Sequence, residues 1–410
     1  MARSIGQVRK LPTVTAVLAH ALSRRMRAPL PIASLLALFL VACSATETSS
    51  LTSRTSRPAA SAPLAVLIQN TSDNSNYAVL LVSSAGRVVA SVTARPRSLR
   101  TFYNPGVCPE PRTCHVVENG PVAVPAISAS NSRVFYLDGD SDLFSVKPDG
   151  SKAFVSRLPG GPSTIVGFSV SPDNKRIAVS VMELTTSFEA PAKLQLYVED
   201  LQTARHHRDL SSSTSTTQWP VGWRGNTLVL AVGDPVVGNF GRNPYGASSY
   251  RLIDSVTGKS TADLACVDGP LVAAGSACYA DQVSPRRVGF ESWEGLKTML
   301  SGPDLGPAEN PRLSGGPLLS PDGTQMAAAA KGNFPSQAPQ VVLFSPAGES
   351  PTNVRAFPMG WLDSGHLLTD NCCPADLRVL DVRTGVSVSV VASRRLDLLR
   401  FLGVLPPGLD

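Results

Sequence analysis

The chain has 410 residues, of which 43% are hydrophobic, 6% aromatic and 17% charged. That length can bury a large core, as one repeat-built domain or two ordinary ones, and the apolar fraction excludes a disordered chain. The 37 basic and 31 acidic side chains give a formal charge of +6, which hints at an anionic partner only if the charges lie on the folded part.

They lie at the start instead. Residues 1–42 contain Arg3, Arg9, Lys10, Arg24, Arg25 and Arg27 and no acidic residue. From Cys43 onward 31 charges of each sign remain, so the rest of the chain is formally neutral and nucleic acid is dropped as a partner. Residues 28–42 (APLPIASLLALFLVA) form an apolar run. The run is short for a bilayer span and suits the hydrophobic region of a secretory signal behind a basic flank. No comparably long apolar run follows the first fifty positions, which argues against a multi-pass helical membrane protein.

The run ends Leu40-Val41-Ala42-Cys43, followed by Ser44-Ala45. This resembles the lipobox of bacterial lipoproteins. In that family the Cys is diacylglycerated, the leader is cut before it, and the new amino terminus is acylated. The resemblance implies a lipid on Cys43 and a place at the cell membrane, on its extracytoplasmic face. The alternatives are an uncleaved anchor and a chance match. Acyl chains contribute about 0.8 kcal/mol per buried methylene, so two or more anchor stably where one does not. Met26-Arg27-Ala28 would open a compact leader by itself, which points to Met26 as the true start. In residues 44–62 ten of nineteen positions are Ser or Thr with no hydrophobic period, the composition of a flexible tether. The domain boundaries are therefore 1–42 signal, 43–62 lipidated Cys and tether, and 63–410 folded domain.

From Leu64 the sequence is a series of short β-type runs between clusters of Gly, Pro, Asn, Asp and Ser. The expected class is all-β. One unit, an apolar strand, a tight turn and a second strand, recurs at residues 77–92, 142–155, 194–210, 249–264, 340–357 and 377–391, with a degenerate copy at 296–306. Its turn residues are Gly86, Gly150, Ala204, Gly258, Gly302, Gly348 and Gly385. A second feature falls between these units. Ser171-Pro172-Asp173-Asn174 and Ser320-Pro321-Asp322-Gly323 each precede an apolar strand, with weaker counterparts at 130–134, 223–228, 283–288 and 361–367. Pro presets the turn, Asp caps it, and Asn or Gly takes the left-handed position.

A period of about 50 residues built from four short strands is that of a β-propeller blade. The Ser-Pro-Asp-Gly turn with the following Leu-Tyr-Val-type strand and Thr-Gly turn resembles the WD40-like propeller repeat of the TolB family, which also occurs in prolyl-oligopeptidase-like peptidases. The resemblance covers roughly residues 64–400 and implies seven four-stranded blades, with six or eight as alternatives. The first unit shows only three strands, and residues 396–405 (LDLLRFLGVL) stand unpaired at the far end. They are expected to complete the first blade, closing the ring; a short helix on the rim is the alternative.

Without Cys43 six cysteines remain, an even number in an exported chain. Local pairing suggests Cys108–Cys114, Cys266–Cys278 and a vicinal Cys372–Cys373. No metal and no cofactor are expected, and His206-His207, adjacent beside a strand, would point to opposite faces as solvated side chains. Asp138, Asp140 and Asp142 read as loop-shaping acids, with calcium as the competing role. Trp219, Trp223, Trp293 and Trp361 read as packing between blades. No Gly-x-Ser-x-Gly elbow occurs, and no catalytic residue is expected. Tyr103, Phe240 and Tyr245 fall in long connections, where propellers usually bind partners, and are the binding candidates. The functional expectation is a non-catalytic protein- or ligand-binding scaffold at the envelope. The alternative is a propeller hydrolase or lyase acting on glycans or peptides, whose mark would be two carboxylates about 5–9.5 Å apart across the central funnel.

Overall fold

The computed structural model describes residues 62–70, 75–98, 124–184, 191–233, 245–279, 287–301, 316–330, 339–371, 376–390 and 399–405. Among them every regular element is a strand, and the strands form seven antiparallel sheets. The first sheet holds β1 (Leu64–Asn70), β2 (Tyr77–Ser83) and β3 (Val88–Ala94). The second holds β4 (Ile127–Ala129), β5 (Val134–Asp138), β6 (Asp142–Val146) and β7 (Lys152–Arg157). The third holds β8 (Thr164–Val170), β9 (Arg176–Leu184), β10 (Pro191–Asp200) and β11 (Arg208–Ser213). In the fourth are β12 (Gln218–Arg224), β13 (Thr227–Val232), β14 (Ser249–Asp254) and β15 (Ser260–Leu264). The fifth contains β16 (Ser276–Tyr279), β17 (Arg287–Glu291) and β18 (Lys297–Ser301). The sixth is β19 (Leu318–Leu319), β20 (Met326–Ala329), β21 (Gln340–Ser345) and β22 (Gly348–Arg355). The seventh is β23 (Phe357–Asp363), β24 (His366–Asp370), β25 (Leu377–Asp381) and β26 (Ser387–Ser389). The last strand, β27 (Leu399–Leu405), pairs antiparallel with β1 and becomes the inner strand of the first sheet. The chain is a seven-bladed β-propeller, closed as the sequence leads one to expect.

The fifth blade departs from the rest. Its innermost position is taken by residues 267–273, which touch β16 through Asp268 N–H to the Ala277 carbonyl (3.0 Å) and the Val272–Gly275 bridge. Pro270 has no N–H to give to a ladder. A side chain on Gly269 would fall 2.4 Å from the Pro317 carbonyl oxygen of the next blade. This blade also corrects the repeat assignment. Its outer turn is 292–296, with Gly295 at φ +78°, whereas Gly302, the expected turn residue, follows β18 and lies outside the described residues. The expected opening turn at 283–288 runs into β17 at its end and precedes the blade's third strand, with 283–286 outside the described residues.

Because strands follow one another outward, first-to-second and third-to-fourth connections share one face. The remaining connections share the other. The first face, here the turn face, has connections as short as two residues (225–226) and no longer than seven (201–207). The second, the loop face, carries thirty-two residues between β3 and β4 and sixteen between β13 and β14. Six of the seven outer turns contain a residue at positive φ, including the non-glycine Ala204 at +50°, and the sixth blade's is closed by Gly348 at +119° on the first position of β22. At Gly86 and Gly258 there is a second reason for glycine, since a Cβ would sit 2.8 and 2.7 Å from backbone oxygens of Ser389 and Leu210 on the preceding blade.

The core lies between blades. Trp223 packs among Ala178, Leu196 and Val198 of the third blade and Leu228, Leu230 and Ile253 of its own. Its indole N–H donates to the Ser169 carbonyl (3.1 Å), and Trp361 repeats the contact onto the Leu318 carbonyl (2.9 Å). All four tryptophans are buried, so they act as packing residues.

Candidate functional site

The inner strands surround a channel with a cavity of about 70 Å³. Its walls carry Ile127, Val170, Trp223, Leu271, Trp361 and Phe401, together with Pro125, Pro172, Pro220, Pro270 and Pro321. Ser128, Ser169 and Tyr245 are the side chains with hydroxyls on it, and among the described residues lining it there is no carboxylate, histidine, lysine, arginine or cysteine. The described walls thus hold no pair of acids for glycoside chemistry.

Tyr245 reaches this channel from the connection between β13 and β14. It is buried, packs edge-to-face on Tyr250 at 6.3 Å, and donates from its hydroxyl to the Leu402 carbonyl at 3.4 Å. Leu402 belongs to the first blade and Tyr245 to the fourth, so this contact spans the ring. Burial pushes the phenol up to about 12, against the pull of the Leu271 backbone N–H. The binding candidate Tyr245 therefore lies inside the ring, with its hydroxyl among the inner strands. Tyr103 and Phe240 lie outside the described residues, as do Cys43, Cys108, Cys114, Cys372 and Cys373.

Cys266 and Cys278 form a disulfide. It ties the residue entering the irregular inner segment of the fifth blade to β16. Three side chains reinforce it. Glu291, buried, accepts from the N–H of Ala265 (2.7 Å) and of Cys266 (3.0 Å). Asp268 accepts from Tyr279 N–H at 2.9 Å, and the Trp293 indole donates to the carbonyls of Val272 and Ala273.

The acids at 138–142 hold the chain that leaves the first blade. Asp138 accepts from both the backbone N–H and the Nε of Arg95 at 2.9 Å. Asp140 accepts from the Ser98 N–H at 2.7 Å and from its hydroxyl, and Asp142 pairs with Arg157 at 2.8 Å. Close by, Arg97 donates to the carbonyls of Val124, Pro125 and Val166, and burial pushes its guanidinium down to about 10. His207 sits between Glu199 (3.0 Å) and Asp209 (3.4 Å) on the outer edge of the third blade, and the bond to Glu199 raises its pKa. No group of three His, Cys, Asp or Glu side chains among the described residues is placed to hold a metal ion. Glu291 and Arg97 escaped the sequence reading. The signal for Glu291 is a lone acid closing the apolar Val288-Gly289-Phe290 stretch, whereas nothing local marks Arg97.

No protein-family model and no curated protein matches the sequence. Solved structures do resemble the fold. TolB from Acinetobacter baumannii is 10% identical, with 85% of this chain and 66% of that one covered at a TM-score of 0.35. Dipeptidyl peptidase 4 of Porphyromonas gingivalis is 10% identical, with 81% and 52% covered at 0.44. The dihydro-heme d1 dehydrogenase NirN, in complex with DHE, is 11% identical, with 79% and 72% covered at 0.40.

Proposed function

We propose that this protein is a lipid-anchored, extracytoplasmic β-propeller that binds a protein or ligand at the cell envelope without catalysing a reaction. The observation that carries binding over catalysis is the channel wall, where apolar side chains, prolines and hydroxyls stand where a propeller hydrolase would place an acid and a base. The Leu40-Val41-Ala42-Cys43 sequence and the Ser/Thr-rich residues 44–62 support the anchor and tether. The Cys266–Cys278 disulfide suits an oxidising compartment. The partner is expected at the loop face, through Tyr103 and Phe240.

The test is affinity capture from envelope extracts with a soluble form starting at Ser44, beside a Tyr103→Ala/Phe240→Ala double variant. A partner retained by the parent and lost by the variant supports the proposal. Retention of nothing above background would turn attention to the hydrolase or lyase class.

A further inference from the structure

The fold fixes where the chain enters the ring, and this bears on which surface meets the membrane. β1 begins at Leu64, whose neighbours are Leu405 at the end of β27 and Ser83 at the end of β2. Ser83 opens the turn at 84–87, so Leu64 lies on the turn face. It also lies one strand from the channel, well inside the rim.

Twenty-one positions separate Cys43 from Leu64. A relaxed coil of that length spans about 25 Å. A seven-residue strand such as β1 is about 23 Å long, which sets the depth of a blade from face to face. To bring the loop face to a bilayer, the tether would have to run outward past β2 and β3 and then along that depth. With strands about 4.8 Å apart, this is a path of roughly 33 Å, longer than the relaxed coil. Presenting the turn face requires no such extension.

The surface of the turn face agrees with that placement. Three of its carboxylates are engaged by their own turns: Asp173 accepts from Ser171, Asp322 from Ser320 and Thr324, and Asp381 from the N–H groups of Arg383 and Thr384, while Glu294 and Glu349 stay exposed and Lys175 lies 3.8 Å from Asp173. The bases Lys147, Lys175 and Arg383 are exposed beside them. We propose that the turn face is the surface held against the phospholipid bilayer that carries the anchor, and that the loop face points away into the aqueous compartment. This rests on the lipid-anchor reading of Cys43.

The experiment uses the lipidated protein in vesicles containing a headgroup-linked quencher. A fluorescent noncanonical residue is placed singly at Lys175 or Arg383 on the turn face, or at Glu183 or Lys193 beside the loop face, all exposed. Fatty-acid labelling of the parent and of Cys43→Ser is measured first. Label lost in Cys43→Ser, with emission lost at Lys175 and Arg383 and kept at Glu183 and Lys193, is the expected result. Labelled protein with equal quenching at all four, or with the reverse order, overturns the orientation and leaves the anchor standing. Absence of label on the parent sinks the anchor and the orientation together.

Discussion

The third and fifth blades reach the same shape by different means. In the third, β8 pairs with β9 over seven consecutive residues without a break, and the turn between them is closed by its own side chains. Ser171 donates its N–H to the Arg176 carbonyl and its hydroxyl to Asp173, and that hydroxyl accepts from the Arg176 N–H. In the fifth, the inner segment has two points of main-chain contact and is held by a disulfide, two buried acids and an indole. Where Gly269 and Pro270 interrupt the ladder, covalent and side-chain links take over. A regular blade spreads its stability over many weak bonds; the irregular one concentrates it in a few strong ones.

Single changes should therefore hurt the fifth blade more. Replacing both Cys266 and Cys278 by Ser is expected to cost about 3 kcal/mol, the entropy of reopening a loop of that size, read as a lower midpoint in denaturant unfolding. Glu291→Ala should cost about 2 kcal/mol, because the buried N–H of Cys266 loses a charged acceptor. In the third blade, Ser171→Ala should cost only about 1 kcal/mol, and its copy Ser320→Ala the same; a loss above that of Glu291→Ala would break the contrast. Ala204→Gly, also in the third blade, should stabilise by up to about 1 kcal/mol, since it relieves a left-handed non-glycine residue.

The smallest effect concerns acid. Partial burial raises Asp322, but hydrogen bonds from Ser320, Ser364 and Thr324 outweigh it and hold the carboxyl at about 2. Its folded value lies below the unfolded one near 3.9, so its contribution is present above about pH 4 and lost as pH falls toward 2. Asp173 is lowered in the same direction, against partial burial, by Ser171 and the Lys175 N–H. Unfolding of Asp322→Asn, compared with the parent at pH 5 and pH 2.5, should show a shallower fall in the variant.

Regular blades were legible in the sequence because their signals are local. A Pro-Asp-Gly turn, a residue able to take positive φ and an alternating strand each announce themselves within a few positions, and Gly86, Gly150, Ala204, Gly258, Gly348 and Gly385 all hold their expected turns. The fifth blade is hard to read because residues 267–273 lack alternation and Ser284-Pro285 has the composition of an opening turn. Gly295, in the short Ser-Trp-Glu-Gly sequence, gives a weaker turn signal than the Gly-Pro-Asp sequence at Gly302. The channel was not legible at all. Its walls come from strands hundreds of residues apart, and only the assembled ring shows that Tyr245 ends against Leu402.

The pairing of Leu64 with Leu405 joins positions 341 residues apart in sequence. Contacts so distant form late, since the whole intervening loop must be ordered first. A chain threaded across a membrane from its amino end would therefore wait with the first blade's inner seat vacant until residues 399–405 arrived. Until then β1 would show an open hydrogen-bonding edge to proteases and to other chains. The seam of the ring thus doubles as a completion check: only a polypeptide delivered through its last strand can hide that edge.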